Sequence, residues 1–324
     1  MKHFDVAIIG YGPTGAMMAY LLGRQGISTL VVEPNVAVYE IPRAVHYDGE
    51  IQRIFQSVGM IDELKEFSRE AGLASFLNGV GWSIFKQDFQ KTDKVHHWAN
   101  SYFFSQVELE KRLRSRVSRC DSVELELGSR LETIEEDEKG ITLTVTSNER
   151  QQSRVFHCTY LLGCDGANSH TRQLGDFALQ DLGCEEPWLV CDLMLDKKID
   201  IDGHIYQICD PRRPVSLIPC EKGHIRWEFM LNKTDDHTDL ENERTVRAMM
   251  APHIGRLNPE ITSQDGDLVR SKVYRFHALL ADKFKCGRVF LLGDAAHQMP
   301  PFLGQGLCSG CLLYTSDAAD DGLS

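Results

Sequence analysis

Residues 4–9 (FDVAII) run directly into Gly10-Tyr11-Gly12-Pro13-Thr14-Gly15, and this junction constrains the fold more than any other stretch of the chain. An apolar run rich in β-branched residues and closed by glycine reads as a buried parallel strand. From residue 13 to 24 the apolar side chains Met17, Met18, Leu21 and Leu22 recur at helical spacing, and residues 28–33 (STLVVE) make a second strand. Strand, glycine turn, helix and strand form a βαβ unit of the dinucleotide-binding kind. Gly10 permits the tight turn, Gly12 lets backbone approach a pyrophosphate, and Gly15 lets the helix pack close to the sheet. The phosphates are expected at the helix N-terminus, where free N–H groups favour anions. Glu33 ends the second strand, 33 − 15 = 18 residues after the last glycine, and can accept from ribose hydroxyls. A carboxylate there repels a 2′-phosphate, which leaves FAD or NAD.

Two later segments repeat the theme. Residues 160–164 (YLLGC) are followed by Asp165-Gly166, and residues 288–292 (RVFLL) by Gly293-Asp294-Ala295-Ala296-His297. Each places a carboxylate beside a glycine at the end of a buried strand, where open α/β sheets bind ligands. Capping of a following helix would by itself explain either aspartate.

The chain has 324 residues, enough for two domains. Hydrophobic content of 42% and charged content of 25% are ordinary for a soluble globular protein. A formal charge of −12 argues against nucleic-acid or anionic-membrane partners. No apolar run reaches the length of a transmembrane helix. The start of the chain carries no signal-peptide pattern, and the ten cysteines are scattered through apolar segments as reduced thiols would be. A cytoplasmic location is expected, with no metal site. Cys308 and Cys311 have CxxC spacing, but no second Cys or His pair joins them.

Between Cys184 and Asn232 the pattern changes. Segments 188–195, 204–209, 215–219 and 225–231 read as short strands, with a helix over about 240–250. Arg226-Trp227-Glu228-Phe229-Met230 alternates polar and apolar, as in a half-buried antiparallel strand. Residues 78–98 are expected to join this half. The expected division is therefore 1–77, 99–180 and 269–310 in one domain, and 78–98 and 181–268 in the other. An aromatic acid would need an apolar slot with a cationic or amide partner. Arg212, Arg213 and Arg226 are candidates, as are His46 and Tyr206; for each arginine a surface ion pair is the competing reading.

In order and context, the three strand-end motifs resemble the class A FAD-dependent aromatic hydroxylases, over about residues 1–310. The resemblance implies an α/β fold: a Rossmann-like FAD-binding domain of the p-hydroxybenzoate hydroxylase type, with a second, antiparallel-sheet substrate domain. It implies that the segment at Asp165 lies near the FAD pyrophosphate and the nicotinamide path, and that Asp294 holds ribityl or ribose hydroxyls. It places Pro300-Pro301 and Gly304-Gln305-Gly306-Leu307 beside the flavin ring, with a helix starting near Gly306. Arg43 matches an arginine near the FAD phosphates, and Gln106 a glutamine that contacts the flavin side. As bland alternatives, Arg43 is a solvated cation and Gln106 an N-terminal helix residue. The runs His204-Ile205-Tyr206, Cys209-Asp210-Pro211, Arg213-Pro214 and Glu228-Phe229-Met230 resemble the phenylpropionate hydroxylases in particular.

The implied activity is hydroxylation of a phenolic acid ortho to its hydroxyl. FAD would stay bound, NADH or NADPH would bind transiently, and O2 would react through a C4a-hydroperoxide. No side chain is assigned as base. Competing readings are another flavoenzyme of this fold, an inactive FAD-binding fragment, or a simple NAD dehydrogenase. A flavin halogenase would need a WxWxIP segment, and Trp82, Trp98, Trp188 and Trp227 are too far apart to make one. After Gly310 the resemblance stops, and residues 311–324 read as a non-native tail like translated sequencing-adapter DNA. A chain so ended is expected to fold poorly or to hold FAD weakly.

Overall fold

The computed structural model describes residues 2–41, 43–94, 97–149, 151–195, 203–221, 223–235 and 239–313. They divide into two compact units. The first takes the chain up to Ala44, then Gln106–Gly183, then His277 onward. The second takes Val45–Ser105 and Cys184–Phe276, and its first segment is longer than the 78–98 read from sequence.

The first unit is built on a parallel sheet. Strand β1 (Lys2–Ile9) lies between β2 (Thr29–Glu33) and the strand Ser153–Gly163, and pairs parallel with both. Val123–Leu127 extends the sheet beyond β2, and Val289–Leu291 extends it beyond Ser153–Gly163, again in parallel. Helix α1 (Pro13–Arg24) makes the crossover from β1 to β2. All five residues of β2 are buried, as the apolar run requires. Phe4, Ala7, Ile9, Leu30, Val32, Leu161, Val289 and Leu291 share one core. Because β2 lies on one side of β1 and the later strands on the other, strand order reverses at β1. Ligands of open α/β sheets sit at such a reversal, beyond the carboxyl ends of the strands.

The second unit holds an antiparallel sheet. His224–Met230 pairs antiparallel with Leu179–Met194 and with Val215–Pro219, which pairs antiparallel with Ile205–Cys209. Ile205–Cys209 then runs parallel to Leu73–Asn78, itself paired with Ser83–Asp88. The helix Glu243–Ile254 packs Val246, Met250 and Ile254 against the apolar face, where Leu189, Cys191, Leu217, Ile225, Trp227 and Phe229 point. The strands and the helix read from sequence in this half are all present with ends moved by a few residues, except that the strand read as 188–195 already begins at Leu179.

One expectation is corrected here. The alternation of Arg226-Trp227-Glu228-Phe229 predicts a strand with one wet face, yet residues His224–Phe229 are all buried. On the polar side, His224 and Arg226 are buried with a partner: Asp192, directly across from Arg226, pairs with both. Near the end of the chain, helix Gly306–Leu313 starts where expected, and Cys311 is buried within it. Cys311–Leu313 therefore belong to an ordinary helix; the rest of the expected tail, 314–324, lies outside the described residues.

Candidate functional site

The three motifs leave adjacent parallel strands at the same level. Ile9 pairs with Gly163, and Gly163 with Leu291. The ladder continues one step further through Gly10 N to Val32 O (2.8 Å), Cys164 N to Ile9 O (2.7 Å) and Leu292 N to Gly163 O (2.9 Å). Gly10, Asp165 and Asp294 thus follow neighbouring strand ends.

The glycines divide by what surrounds them. Gly10 has φ +98°, and a Cβ there would lie 2.4 Å from Cys164 O. A Cβ on Gly15 would lie 2.0 Å from Gly10 O, so the helix start and the turn are in backbone contact. Gly12 has an ordinary φ of −72°, and a Cβ added to it would meet nothing within 4 Å. Two glycines are therefore required by packing, and the third faces open space. That space lies at the N-terminus of α1, where Gly12 offers no side-chain cap and Pro13 occupies the first turn. The first-turn N–H groups are left for an anion.

Glu33 is buried. One oxygen accepts from Tyr11 N (2.8 Å), and the other from Asn35 N (2.9 Å) and Asn35 Nδ2 (2.8 Å). A carboxylate offers about four lone-pair sites, so one remains for an outside donor. Thr14 abuts the third motif: a Cβ on Gly293 would sit 2.9 Å from Thr14 Oγ1. The first turn of α1 and the loop of Asp294 are thereby locked together.

Asp165 and Asp294, alike in sequence, have different roles. Asp165 turns inward and accepts from Ser169 Oγ (2.5 Å), Thr171 N (2.9 Å) and Thr171 Oγ1 (3.0 Å). It shapes the turn into His170–Leu174, which is the capping alternative. Ser169 in turn accepts from Arg172 N (2.9 Å). The buried Arg172 guanidinium donates to Ala167 O (2.8 Å) and to Ala295 O (3.0 Å), joining the second motif loop to the third. Sequence reasoning missed this arginine, although a Ser-x-x-Arg spacing after the aspartate was there to be read.

Asp294 is open to solvent, yet dense surrounding protein raises its pKa above the usual carboxylate range, with His297 and Arg43 opposing the shift. Burial lowers the pKa of His297, with Asp294 opposing, and its Nδ1 is buried without a partner.

Gln106 acts on the loop that carries Arg43. Its Oε1 accepts from Arg43 N (3.1 Å) and Ala44 N (2.6 Å), and its Nε2 donates to Glu110 (2.7 Å). The amide positions this loop from the first residue of the helix Gln106–Val117, which is where the N-terminal helix reading put Gln106. Beyond Pro300, a short turn Pro301–Leu303 ends at Gly304, whose φ of +65° suits glycine, and Gly306 opens the last helix.

In the second unit the substrate candidates separate. Arg213 is held by both carboxylate oxygens of Asp235 (2.9 and 2.8 Å), and the exposed Arg212 by Asp210 (2.8 Å). Both are ion pairs, the competing reading. Tyr206 donates its hydroxyl to Arg256 O (3.0 Å) and stacks on His204. His46 Nε2 lies 2.8 Å from Ser101 Oγ. Of the three arginines only Arg226 is buried, against Asp192.

A family model described as FAD binding domain matches residues 3–311. The chain belongs to the FAD binding domain family. A probable NADH-specific resorcinol 4-hydroxylase of Rhodococcus jostii is 31% identical over 309 residues, covering 95% of this chain and 57% of the relative. A 3-(3-hydroxy-phenyl)propionate/3-hydroxycinnamic acid hydroxylase of Burkholderia cenocepacia is 33% identical, covering 94% and 54%. The chain spans about half the length of the curated relatives it matches. Among solved structures, the flavin-dependent monooxygenase PieE in complex with FAD and substrate superposes with a TM-score of 0.82 at 22% identity, covering 94% of this chain and 55% of PieE. The p-nitrophenol 4-monooxygenase PnpA of Pseudomonas putida also gives 0.82, at 20% identity, covering 100% and 82%. These likenesses establish the fold.

The residues present fit the cofactor of this FAD binding domain. Bare Gly12, an uncapped helix start, the spare lone pair of Glu33 and the open carboxylate of Asp294 meet the needs of a pyrophosphate and sugar hydroxyls. Asp294 has a consequence for stability. Its folded-state pKa is raised, so its contribution is fully present below its ordinary value near 3.8 and is lost as pH rises through the folded value. At neutral pH the ionised carboxylate is a liability. Asp294→Asn should melt at the same or a higher temperature than wild type near pH 7 without FAD, flatten the fall in stability above pH 3.8, and bind FAD more weakly. Thermal melts across pH and an FAD titration check this; a lower melting point with unchanged FAD affinity would refute it.

Proposed function

We propose that the chain forms the flavin-binding and substrate-binding part of an aromatic hydroxylase that acts on a phenolic acid, using NADH or NADPH and O2. The observation that carries the reading is the convergence of three strand-end motifs on the open side of Gly12 and the uncapped start of α1. The named relatives supply the substrate class, since resorcinol and 3-(3-hydroxyphenyl)propionate are both hydroxylated aromatics. The Rhodococcus relative is named NADH-specific, which favours NADH as the reductant to try first. A cytoplasmic setting belongs to the same reading, supported by ten free thiols.

In this reading, Gly12 and the first-turn N–H groups of α1 take the pyrophosphate, with the Arg43 loop held for it by Gln106. Glu33 accepts from a ribose hydroxyl, and Asp294 from ribityl or ribose hydroxyls. N–H groups at the start of Gly306–Leu313 favour negative charge on the ring beside them. Pro300 and Leu307 supply apolar contact. Bound FAD supplies the redox and oxygen chemistry that no side chain offers.

The test is the visible spectrum of the purified chain after incubation with FAD and desalting, followed by NADH oxidation with hydroxylated aromatic acids. Bands near roughly 375 and 450 nm should remain with the protein. Folded, sharply melting protein that emerges colourless would remove the flavin site. Retained flavin with no stimulation of NADH oxidation by resorcinol or 3-(3-hydroxyphenyl)propionate would remove the hydroxylase reading and leave the flavin site standing.

A further inference from the structure

The face of the second unit's sheet opposite the helix Glu243–Ile254 is polar and nearly dry. Gln207 pairs with Ser216, and Ser216 with Glu228, so these three side chains stand in one cross-strand row. Phe76 continues the row on the adjacent parallel strand. The neighbouring row holds Arg226 and Asp192.

The cations of this face meet on one carboxylate. Asp192 is fully buried and accepts from His224 Nε2 (2.7 Å), Arg226 Nε (2.8 Å) and Arg270 NH2 (2.5 Å). Arg226, His224 and Arg270 outweigh the cost of its burial and hold it ionised. Glu228 is the exception. It is 6% exposed, and its carboxyl makes no hydrogen bond or ion pair with any described residue. Its oxygens are not sealed, unlike Arg270 Nε, which is buried without a partner. Burial raises the Glu228 pKa; Arg226 and Arg270 oppose the shift, and Asp192 adds to it.

A buried carboxyl without a partner is costly and calls for one. Each nearby cation contacts Asp192, and among the described residues none of them hydrogen-bonds Glu228. Ser216 Oγ donates to Gln207 Oε1 (2.7 Å), so what the row offers a ligand is chiefly the Glu228 carboxyl, with the Gln207 amide N–H groups and Phe76 beside it. Those groups match a hydroxyl on an aromatic ring, because a carboxyl accepts from a phenolic O–H whether or not it carries a proton itself. We propose that Glu228 is a specificity-determining residue whose carboxyl hydrogen-bonds the phenolic hydroxyl of the aromatic substrate. This rests on the hydroxylase reading above and adds the group that selects phenols.

The test uses the full chain loaded with FAD and two probes, 3-(3-hydroxyphenyl)propionate and 3-phenylpropionate, titrated by calorimetry. Wild type should bind the hydroxylated probe about tenfold or more tightly than the other, the equivalent of one hydrogen bond to a buried polar group. Glu228→Leu should bring the ratio close to one while melting no lower than wild type and keeping its FAD, because a buried unpartnered polar group is removed. Glu228→Gln, which keeps a donor and an acceptor, should retain most of the preference. The inference is overturned if Glu228→Leu discriminates as wild type does, or if wild type binds both probes equally. Binding of neither probe to flavin-loaded wild type would overturn the phenolic-acid reading itself, and this inference with it.

Discussion

Gly15→Ala should cost the chain about 3 kcal/mol or more and prevent retention of FAD, whereas Gly12→Ala should leave the fold intact and weaken FAD alone. The two substitutions add the same methyl group three residues apart. At Gly15 it would stand 2.0 Å from Gly10 O, against backbone that is pinned to the neighbouring strands and cannot yield cheaply. At Gly12 it meets nothing within 4 Å, and a φ of −72° suits alanine. The methyl would instead fill the space in which a pyrophosphate must approach the helix start. Melting of FAD-free Gly12→Ala should therefore match wild type within about 2 °C. Its FAD dissociation constant should rise roughly tenfold or more, because the phosphate loses its backbone donors. Wild-type FAD affinity in Gly12→Ala would show that the phosphate does not use this turn. A normally stable Gly15→Ala would show that the contact of helix and turn is not what holds them.

How much of this was legible in the sequence depends on the range over which each feature acts. The βαβ unit and the other two strand ends were readable because fully buried strands are written as unbroken apolar runs, and glycine closes each of them. Which aspartate turns inward was harder, but a local clue existed. Asp165 is followed by Ser169 and Thr171, hydroxyls that donate to it, while Asp294 is followed by Ala295 and Ala296, which cannot. The helix-start position of Gln106 was readable, but its hold on the loop was not, since Arg43 and Ala44 lie more than sixty residues away. The buried polar face was misjudged for a related reason. Alternation along residues 226–229 reports two unlike faces but not what covers each, and the neutralising Asp192 arrives from a different strand. Nothing in the composition of residues 45–77 announces that they leave the first unit.

Arg172→Met should be the most damaging change at a position that touches no ligand in any reading of the site. The side chain is buried and satisfies two carbonyls, Ala167 O on the second motif loop and Ala295 O on the third. Hydrogen bonds from a charged donor contribute about 1.5–3 kcal/mol each, and their loss leaves two carbonyls unpaired. A net loss of about 3 kcal/mol is expected, read from the shift in the urea midpoint. Arg172→Lys should recover only part of it, because a single ammonium cannot span two carbonyls as a planar guanidinium does. The consequence for FAD follows from geometry. Ala295 adjoins Asp294, and Asp294 can serve sugar hydroxyls only while its loop is held against the second motif. FAD affinity should therefore fall in Arg172→Met even under conditions where the protein stays folded. Stability lost without any change in FAD affinity would mean that Thr14, packed against Gly293, holds the loop without the arginine.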